Sequence, residues 1–205
     1  MSGLKVSRGR LVAMLPVVAF LLSGCATLVG AGGPVADIFD LSAPTDFEGM
    51  TARTGAQLLV PPPSAVAALA SNRIAVRPDP ARIAYYSGAV WSDELPNLLQ
   101  LEIVRAFVNS NRAKSVGRPG DSLAIDYQVL VDVRAFEIDI FGGETAHVVF
   151  GVKLLDDTTG RVRASRLIEA RVPVAVDTAE GAVAALERAA GEAMTELVAW
   201  TASTL

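Results

Sequence analysis

The chain has 205 residues, 51% of them hydrophobic, and 18 basic residues stand against 22 acidic ones for a formal net charge of −4. Nucleic-acid binding requires a basic surface, so this balance argues against a nucleic-acid partner. A single cysteine excludes an intrachain disulfide, and a single histidine excludes a metal site built from several histidines.

The N-terminal region predicts export from the cytoplasm. Lys5, Arg8 and Arg10 precede an apolar run of 12 residues from Leu11 to Leu22, and no acidic residue is present. A membrane-spanning helix needs about 20 apolar residues, so this run is too short to span. A basic segment followed by a short apolar one is typical of a secretory signal peptide, which we place at residues 1–24.

The signal region ends in Leu22-Ser23-Gly24-Cys25, which resembles a bacterial lipobox. In such a site a signal peptidase cuts before a cysteine whose sulfur carries diacylglycerol, which predicts lipidation of Cys25. The alternative is an ordinary signal peptide with an incidental cysteine. Stable anchoring needs more than one acyl chain, which a lipoprotein's cysteine supplies. Cleavage removes three basic and no acidic residues, so the mature chain has a net charge of −7, which also argues against docking on anionic lipid.

Residues 25–37 are small and rich in glycine, which predicts a flexible tether between the lipid and a domain at residues 38–203. Short strands are predicted at residues 57–60, 73–77 and 82–86, each followed by proline or glycine. A helix follows, with Ser92 or Asp93 as its cap and Pro96 in its first turn. Its apolar stripe consists of Leu95, Leu98, Leu99, Ile103, Ala106 and Phe107.

The second half predicts three antiparallel strands and a closing helix. Along residues 126–140 the apolar alternation changes phase after Ala135, which predicts either a β-bulge or a strand that leaves its sheet. A strand bearing Val148 and Phe150 follows, then a hairpin loop at residues 156–160 and a strand at 161–174. In that last strand the inward residues are predicted to be Val162, Ala164, Ile168, Ala170, Val172 and Val174.

The closing helix is predicted to begin with a capping box formed by Asp177 and Glu180. Gly191 inside this helix is interpreted as a point of close packing on the sheet. The order of elements predicts an α+β fold in two layers, a mostly antiparallel sheet with two helices on one face.

Motifs for catalysis are absent from the sequence. His147 is interpreted as a surface or rim residue, and no Gly-x-Ser-x-Gly motif occurs. The acidic pair Asp156 and Asp157 falls at a hairpin tip, where solvation explains it. We therefore predict a protein that is not an enzyme, with no catalytic, cofactor-binding or metal-binding residue.

The mature chain resembles the auxiliary lipoproteins of ABC-type transport systems, which accompany MCE-type, paraquat-inducible-type intermembrane lipid transporters. The resemblance rests on the lipobox and on short motifs in order: Phe39-Asp40-Leu41, Arg73-Ile74-Ala75-Val76, Trp91-Ser92-Asp93-Glu94-Leu95-Pro96, Asp126-Tyr127, Lys153-Leu154-Leu155-Asp156 and Trp200. It implies a periplasmic subunit working with an ATPase, a permease and an MCE-domain protein to move phospholipid or sterol-like lipid. It supplies no catalytic residue.

Two other functions stay open from the residues. One is a stand-alone periplasmic lipid carrier, with its cavity between sheet and helices, and the other is a small envelope hydrolase. Ala26 follows the lipidated cysteine, where an Asp retains enteric lipoproteins in the inner membrane. We therefore expect an outer-membrane anchor facing the periplasm, with the periplasmic face of the inner membrane as second choice.

The first predicted helix carries a second apolar row beside its stripe. Leu101, Val104 and Val108 form this row, and Phe141 lies at a hairpin tip. An apolar row beyond the core stripe indicates either a wider core or an interaction face. We predict that these four residues contact the MCE subunit or another copy of this chain.

Overall fold

Prolines and glycines interrupt the first half of the domain, so its first strands are short, whereas the second half folds into long strands. The computed structural model describes residues 36–205. Its first elements are β1 (Asp37–Phe39), β2 (Gln57–Leu59), β3 (Ser64–Ala65), β4 (Arg73–Asp79), β5 (Arg82–Trp91) and α1 (Leu95–Ser110). They are followed by β6 (Ser115–Gly117), β7 (Tyr127–Asp139), β8 (Thr145–Asp156), β9 (Val162–Pro173) and α2 (Ala179–Thr204).

All these strands belong to one sheet in which the long pairings are antiparallel. β7 pairs with β8, β8 with β9, and β4 with β5 in this way. The predicted α+β class is therefore confirmed. The parallel pairings were not foreseen: β1 with β5, β2 with β6, and β2, β3 and β4 with β7. The predicted signal peptide and Cys25 lie outside the described residues.

The predicted bulge in β7 is confirmed and decides which residues face the helices. The pairing of β7 with β8 shifts between Val133 and Ala135. As a result Val133 and Phe136 are both buried in the core, at 1% exposure each. Because side chains alternate along a strand, the shift turns Glu137 and Asp139 to the opposite face.

Both helices cover one face of the sheet. Residues of α2, including Leu186, Met194 and Leu197, share one closed core cluster with Val148 and Phe150 of β8. The predicted inward position of Val162 is wrong, because the β8–β9 pairing is irregular next to it and leaves it 51% exposed. Close packing at Gly191 is also wrong, since a Cβ there would meet nothing within 4 Å.

The helix starts differ from the predicted caps. At α2 the hydroxyl of Thr178, one residue after Asp177, accepts the Gly181 amide at 3.2 Å. Thr178 has the extended backbone that a capping residue needs. At α1 the cap position is Glu94, which makes no side-chain capping bond, while the predicted Pro96 lies in the first turn.

Candidate functional site

The helix-free face of the sheet carries a groove where β4, β7, β8 and β9 lie side by side. We call it the sheet groove, and its volume is about 500 Å³. Its walls are formed by Arg77, Pro80, Arg134, Ala135, Glu137, Asp139, Phe141, His147, Val149 and Arg171. The floor thus combines ion pairs with apolar side chains, and the β7 bulge is what places Glu137 and Asp139 in it.

One end of the groove is fixed by a two-point ion pair. The Arg77 guanidinium donates to Glu137 through Nε and, at 2.9 Å, through a terminal nitrogen. The Glu137 side chain is only 2% exposed, and that of Arg77 is 27% exposed. The hydrogen bond to Glu137 raises the pKa of Arg77. Two parallel charge-assisted bonds fix orientation as well as contribute energy.

The other end is a network around Arg171. This residue donates to Glu169 at 2.9 Å and to Asp139 at 3.3 Å. The His147 Nε2 lies 3.0 Å from Glu169, and its Nδ1 lies 3.3 Å from an Arg171 nitrogen. Because arginine can only donate, Nδ1 acts as acceptor and Nε2–H donates to Glu169. His147 therefore lies in the groove wall with both ring nitrogens engaged.

The two carboxylates of this network hold their charge strongly. Hydrogen bonds from Arg171 and then His147 lower the pKa of Glu169. Burial acts to raise the pKa of Asp139. Hydrogen bonds from the Gly142 amide and Arg171 together have the larger, opposite effect, so this pKa lies below its usual range. Both groups are therefore ionised at neutral pH and serve as fixed acceptors.

Asp139 also shapes the hairpin between β7 and β8. Its carboxylate accepts the Gly142 amide at 3.0 Å. A Cβ on residue 142 would lie 2.8 Å from the same carboxylate, so this turn favours glycine. The turn presents Phe141 at 68% exposure on the rim of the sheet groove.

The predicted partner residues are found in two places. On α1, Leu101 and Val104 are half-buried and Val108 is 61% exposed. Val108 borders a hollow of about 240 Å³ between the end of α1 and β6. Phe141 lines the sheet groove, to which α1 contributes no residue. The three α1 residues therefore lie together on one row, whereas Phe141 lines the sheet groove and is not part of that row.

Sequence reasoning missed three buried acids, Glu137, Asp139 and Glu102. Glu137 follows Phe136 at the point where the alternation changes phase, which indicates that its side chain points to the other face of the sheet. Glu102 is 1% exposed, and one of its oxygens has no hydrogen-bond partner within the described residues. Its other oxygen accepts from Arg105 at 2.6 Å. Burial raises the pKa of Glu102, and Arg105 opposes that shift. The sequence did carry a signal of this burial, because Glu102 lies within the apolar stripe of α1.

Within residues 36–205, no cluster of three or more His, Cys, Asp or Glu side chains has a geometry suited to a metal ion. None of the helices in that range is both long and apolar enough to cross a bilayer.

The sequence profile of a family described as the ABC-type transport auxiliary lipoprotein component matches residues 39–198. The chain belongs to this family. A lipoprotein component of a transport system is a protein of the cell envelope. The family assignment agrees with the resemblance seen in the motifs of the sequence.

Relatives support the same fold. The crystal structure of protein XCC0632 from Xanthomonas campestris is 34% identical, with a TM-score of 0.76 over 82% of this chain and 96% of that one. A second crystal structure, of an uncharacterized protein, has a TM-score of 0.64 at 15% identity over 82% of this chain and 99% of that one. The uncharacterized protein bll6063 of Bradyrhizobium diazoefficiens is 30% identical over 88% of this chain. The chain spans about half, 49%, of that relative's length.

Proposed function

We propose that this chain is a non-enzymatic periplasmic lipoprotein subunit of an MCE-type ABC system that moves phospholipid or sterol-like lipid across the envelope. The observation that carries the proposal is the family match over residues 39–198. The ATPase, permease and MCE-domain protein are the proposed partners, and the lipid is the proposed cargo.

The groove chemistry supports a binding role over catalysis. A general base needs a free lone pair within reach of a substrate proton. In the sheet groove Glu137 is engaged by Arg77, and both nitrogens of His147 face charged partners. The Asp139 carboxylate is taken up by the Gly142 amide and Arg171. These ionisable groups therefore act on one another, which fits a docking or binding surface.

The packing weighs against a lipid carrier of the kind considered as the alternative. Such a carrier would hold its lipid between the sheet and the helices. Phe150 and Leu154 of β8 and Leu186 and Met194 of α2 are fully buried in that space, at 0% exposure. Native cores are packed about as densely as organic crystals, so little room is left there for an acyl chain.

We propose that Cys25 carries the lipid anchor and that Ala26 directs the protein to the outer membrane. Replacing Cys25 with Ser should abolish labelling by radioactive palmitate and the shift to the mature mass. An Ala26→Asp variant should move the protein to inner-membrane fractions in a density gradient. Labelling of the Cys25→Ser protein would contradict the lipid anchor at Cys25. Wild-type protein found wholly in the inner membrane would contradict the outer-membrane assignment.

We propose that the α1 row contacts the MCE subunit or a second copy of this chain. Val108 is the exposed end of the row, and the hollow beside it offers a recess for a partner side chain. Val104 is half-buried and packs partly against the core. Phe141, on the opposite face, is proposed as a separate contact.

The proposal is tested by purifying the tagged full-length protein from mildly solubilised envelopes and identifying what co-purifies. Wild type should recover an ABC ATPase, its permease and an MCE-domain protein. The variant Val104→Glu with Val108→Glu should keep its circular dichroism spectrum but lose the partners or its self-association. The matched control is Val66→Glu with Val176→Glu, since both valines are exposed, at 62% and 58%, and lie outside α1.

Full recovery of partners by the Val104, Val108 variant would exclude this face as the interface. Unfolding of that variant would show that the row belongs to the core. A single Val108→Glu variant separates the two cases, because Val108 is mostly exposed and should tolerate the charge.

A further inference from the structure

A second hollow on the helix-free face adjoins the sheet groove. Its volume is about 420 Å³, and its lining includes Ser64, Asp132, Lys153, Ser165 and Leu167. Arg134 lines both this hollow and the sheet groove. The two depressions therefore meet at one guanidinium group.

The position of Arg134 depends on a glycine in the neighbouring strand. A Cβ on Gly151 would lie 2.8 Å from Arg134 Nε and 3.0 Å from its guanidinium carbon. The side chain thus lies flat across β8 in space that only glycine leaves open. Its Nε donates to Asp132 at 3.2 Å, while its two terminal nitrogens make no hydrogen bond within residues 36–205. Within these residues, two donor nitrogens therefore remain open at the junction of the two depressions.

The charge of the hollow is positive. Arg134 is offset by Asp132, and Arg166 by Glu196 at 2.6 Å. Lys153 has no ion-pair partner within the described part of the chain, and Ser165 is its neighbour on β9. One ammonium group is therefore uncompensated beside the free guanidinium nitrogens and a hydroxyl. This is the donor set that a phosphate group accepts well.

The sheet groove extends from Arg134 with paired ionic side chains on its floor and four apolar side chains along its wall. Ala135, Val149, Pro80 and Phe141 contribute its apolar wall. At the hollow itself, Leu167 is 53% exposed. A cationic hollow thus opens into a groove that has an apolar strip beside its internally paired charges. The two volumes, about 420 and 500 Å³, are each within the range of small-ligand sites.

We infer that this face binds an amphiphilic phosphate ester, with the phosphate at Arg134 and Lys153 and an acyl chain along Ala135, Val149 and Phe141. This inference rests on the proposed function and deepens it, since it gives the subunit direct contact with a phospholipid cargo. Free phosphate shares the headgroup chemistry but makes no use of the apolar wall. The two ligands are therefore separable by experiment.

The test uses full-length lipoprotein reconstituted in phosphatidylcholine vesicles that contain phosphatidylglycerol with a photoactivatable diazirine in one acyl chain. After irradiation, labelled peptides are mapped by mass spectrometry. Label is expected within residues 135–149. The variant Arg134→Ala with Lys153→Ala should lower it about tenfold, because charge-assisted bonds are lost. The control Lys114→Ala with Arg118→Ala removes the same charges from exposed positions outside both depressions and should label like wild type.

A second variant keeps every charge. Gly151→Ala should displace the guanidinium and lower the labelling, while thermal unfolding stays close to wild type because only a flexible side chain has to move. Parallel vesicles carry photoactivatable diacylglycerol, which lacks phosphate and should label residues 135–149 about tenfold less.

Equal labelling by diacylglycerol, or by the Arg134, Lys153 variant, overturns the assignment. Thermal stabilisation by inorganic phosphate without lipid label would identify a free-phosphate site and also overturn it. If the groove is not labelled but the transporter still co-purifies, the lipid site is refuted and the proposed function is not. If the groove is labelled but no transporter co-purifies, the proposed function is refuted and the lipid site is not.

Discussion

Removal of Arg77 should be costly, because it would leave a buried carboxylate without its partner. Glu137 is 2% exposed and receives two bonds from Arg77. Breaking one side of a buried ion pair typically costs about 3–5 kcal/mol. The Arg77 side chain is 27% exposed, so water reaches the pair and screens part of its interaction. For Arg77→Ala we therefore expect the free energy of unfolding to fall by about 3 kcal/mol, near the lower end of that range.

The same physics predicts a compensated double variant. Arg77→Met with Glu137→Leu removes both charges and fills the space. Its free energy of unfolding should lie within about 1 kcal/mol of the wild-type value. Arg82→Ala is the control, since its pair with Asp79 is largely exposed, at 72% and 32%, and such pairs contribute little.

Denaturant unfolding of residues 36–205 followed by tryptophan fluorescence gives these free energies. Trp91 is a suitable reporter because it is 2% exposed and its ring lies 5.9 Å from that of Phe136 on β7. A loss below about 1 kcal/mol for Arg77→Ala would refute the view that Glu137 is a buried charge dependent on Arg77. A double variant as unstable as the single one would refute it as well.

Three further predictions concern stability. Gly191→Ala should stabilise the domain by about 1 kcal/mol in thermal or urea unfolding, since helix propensity favours alanine and the added Cβ meets no atom within 4 Å beyond its own stretch of helix; a destabilised variant would contradict this. Glu102 has a raised pKa, so its contribution to stability is lost as pH rises through that value. Glu102→Gln should therefore show a smaller fall in stability between pH 4 and 8, and an unchanged fall would contradict it. The lowered pKa of Asp139 makes its contribution present above the unfolded value, about 3.9, and lost as pH falls further. Asp139→Asn should flatten the acid side of the stability profile, and an unchanged acid slope would contradict it.

The sequence predicted those parts of the fold in which a long pattern fixes the structure. The phase change after Ala135 predicted the β7 bulge, and the Asp-Thr-Gly composition of residues 156–160 predicted the hairpin between β8 and β9. The strands β1, β2, β3 and β6 have only two or three residues. Such segments carry too few alternations to show which strand they pair with, and their parallel pairing depends on tertiary packing.

The candidate groove was harder to foresee, because its groups come from distant parts of the chain. Arg77 and Glu137 are 60 positions apart, and Asp139 and Arg171 are 32 apart. Only the sheet register brings them together. The parallel β4–β7 pairing places Arg77 beside Glu137, and the antiparallel β7–β8 and β8–β9 pairings place Arg171 near Asp139. The exposure of Phe141 followed from its place in a hairpin turn, but its position on the groove rim did not.

The proposed role of this chain in lipid movement by an ABC system can be measured in cells that lack the chain. Pulse-labelled phospholipid is followed between the inner and outer membranes of these cells. Deletion should slow that transfer, and full-length wild type should restore it. The Cys25→Ser protein should fail to restore it despite normal abundance. Transfer that is unchanged by deletion, in cells where the partner ATPase is needed for it, would contradict the proposed function.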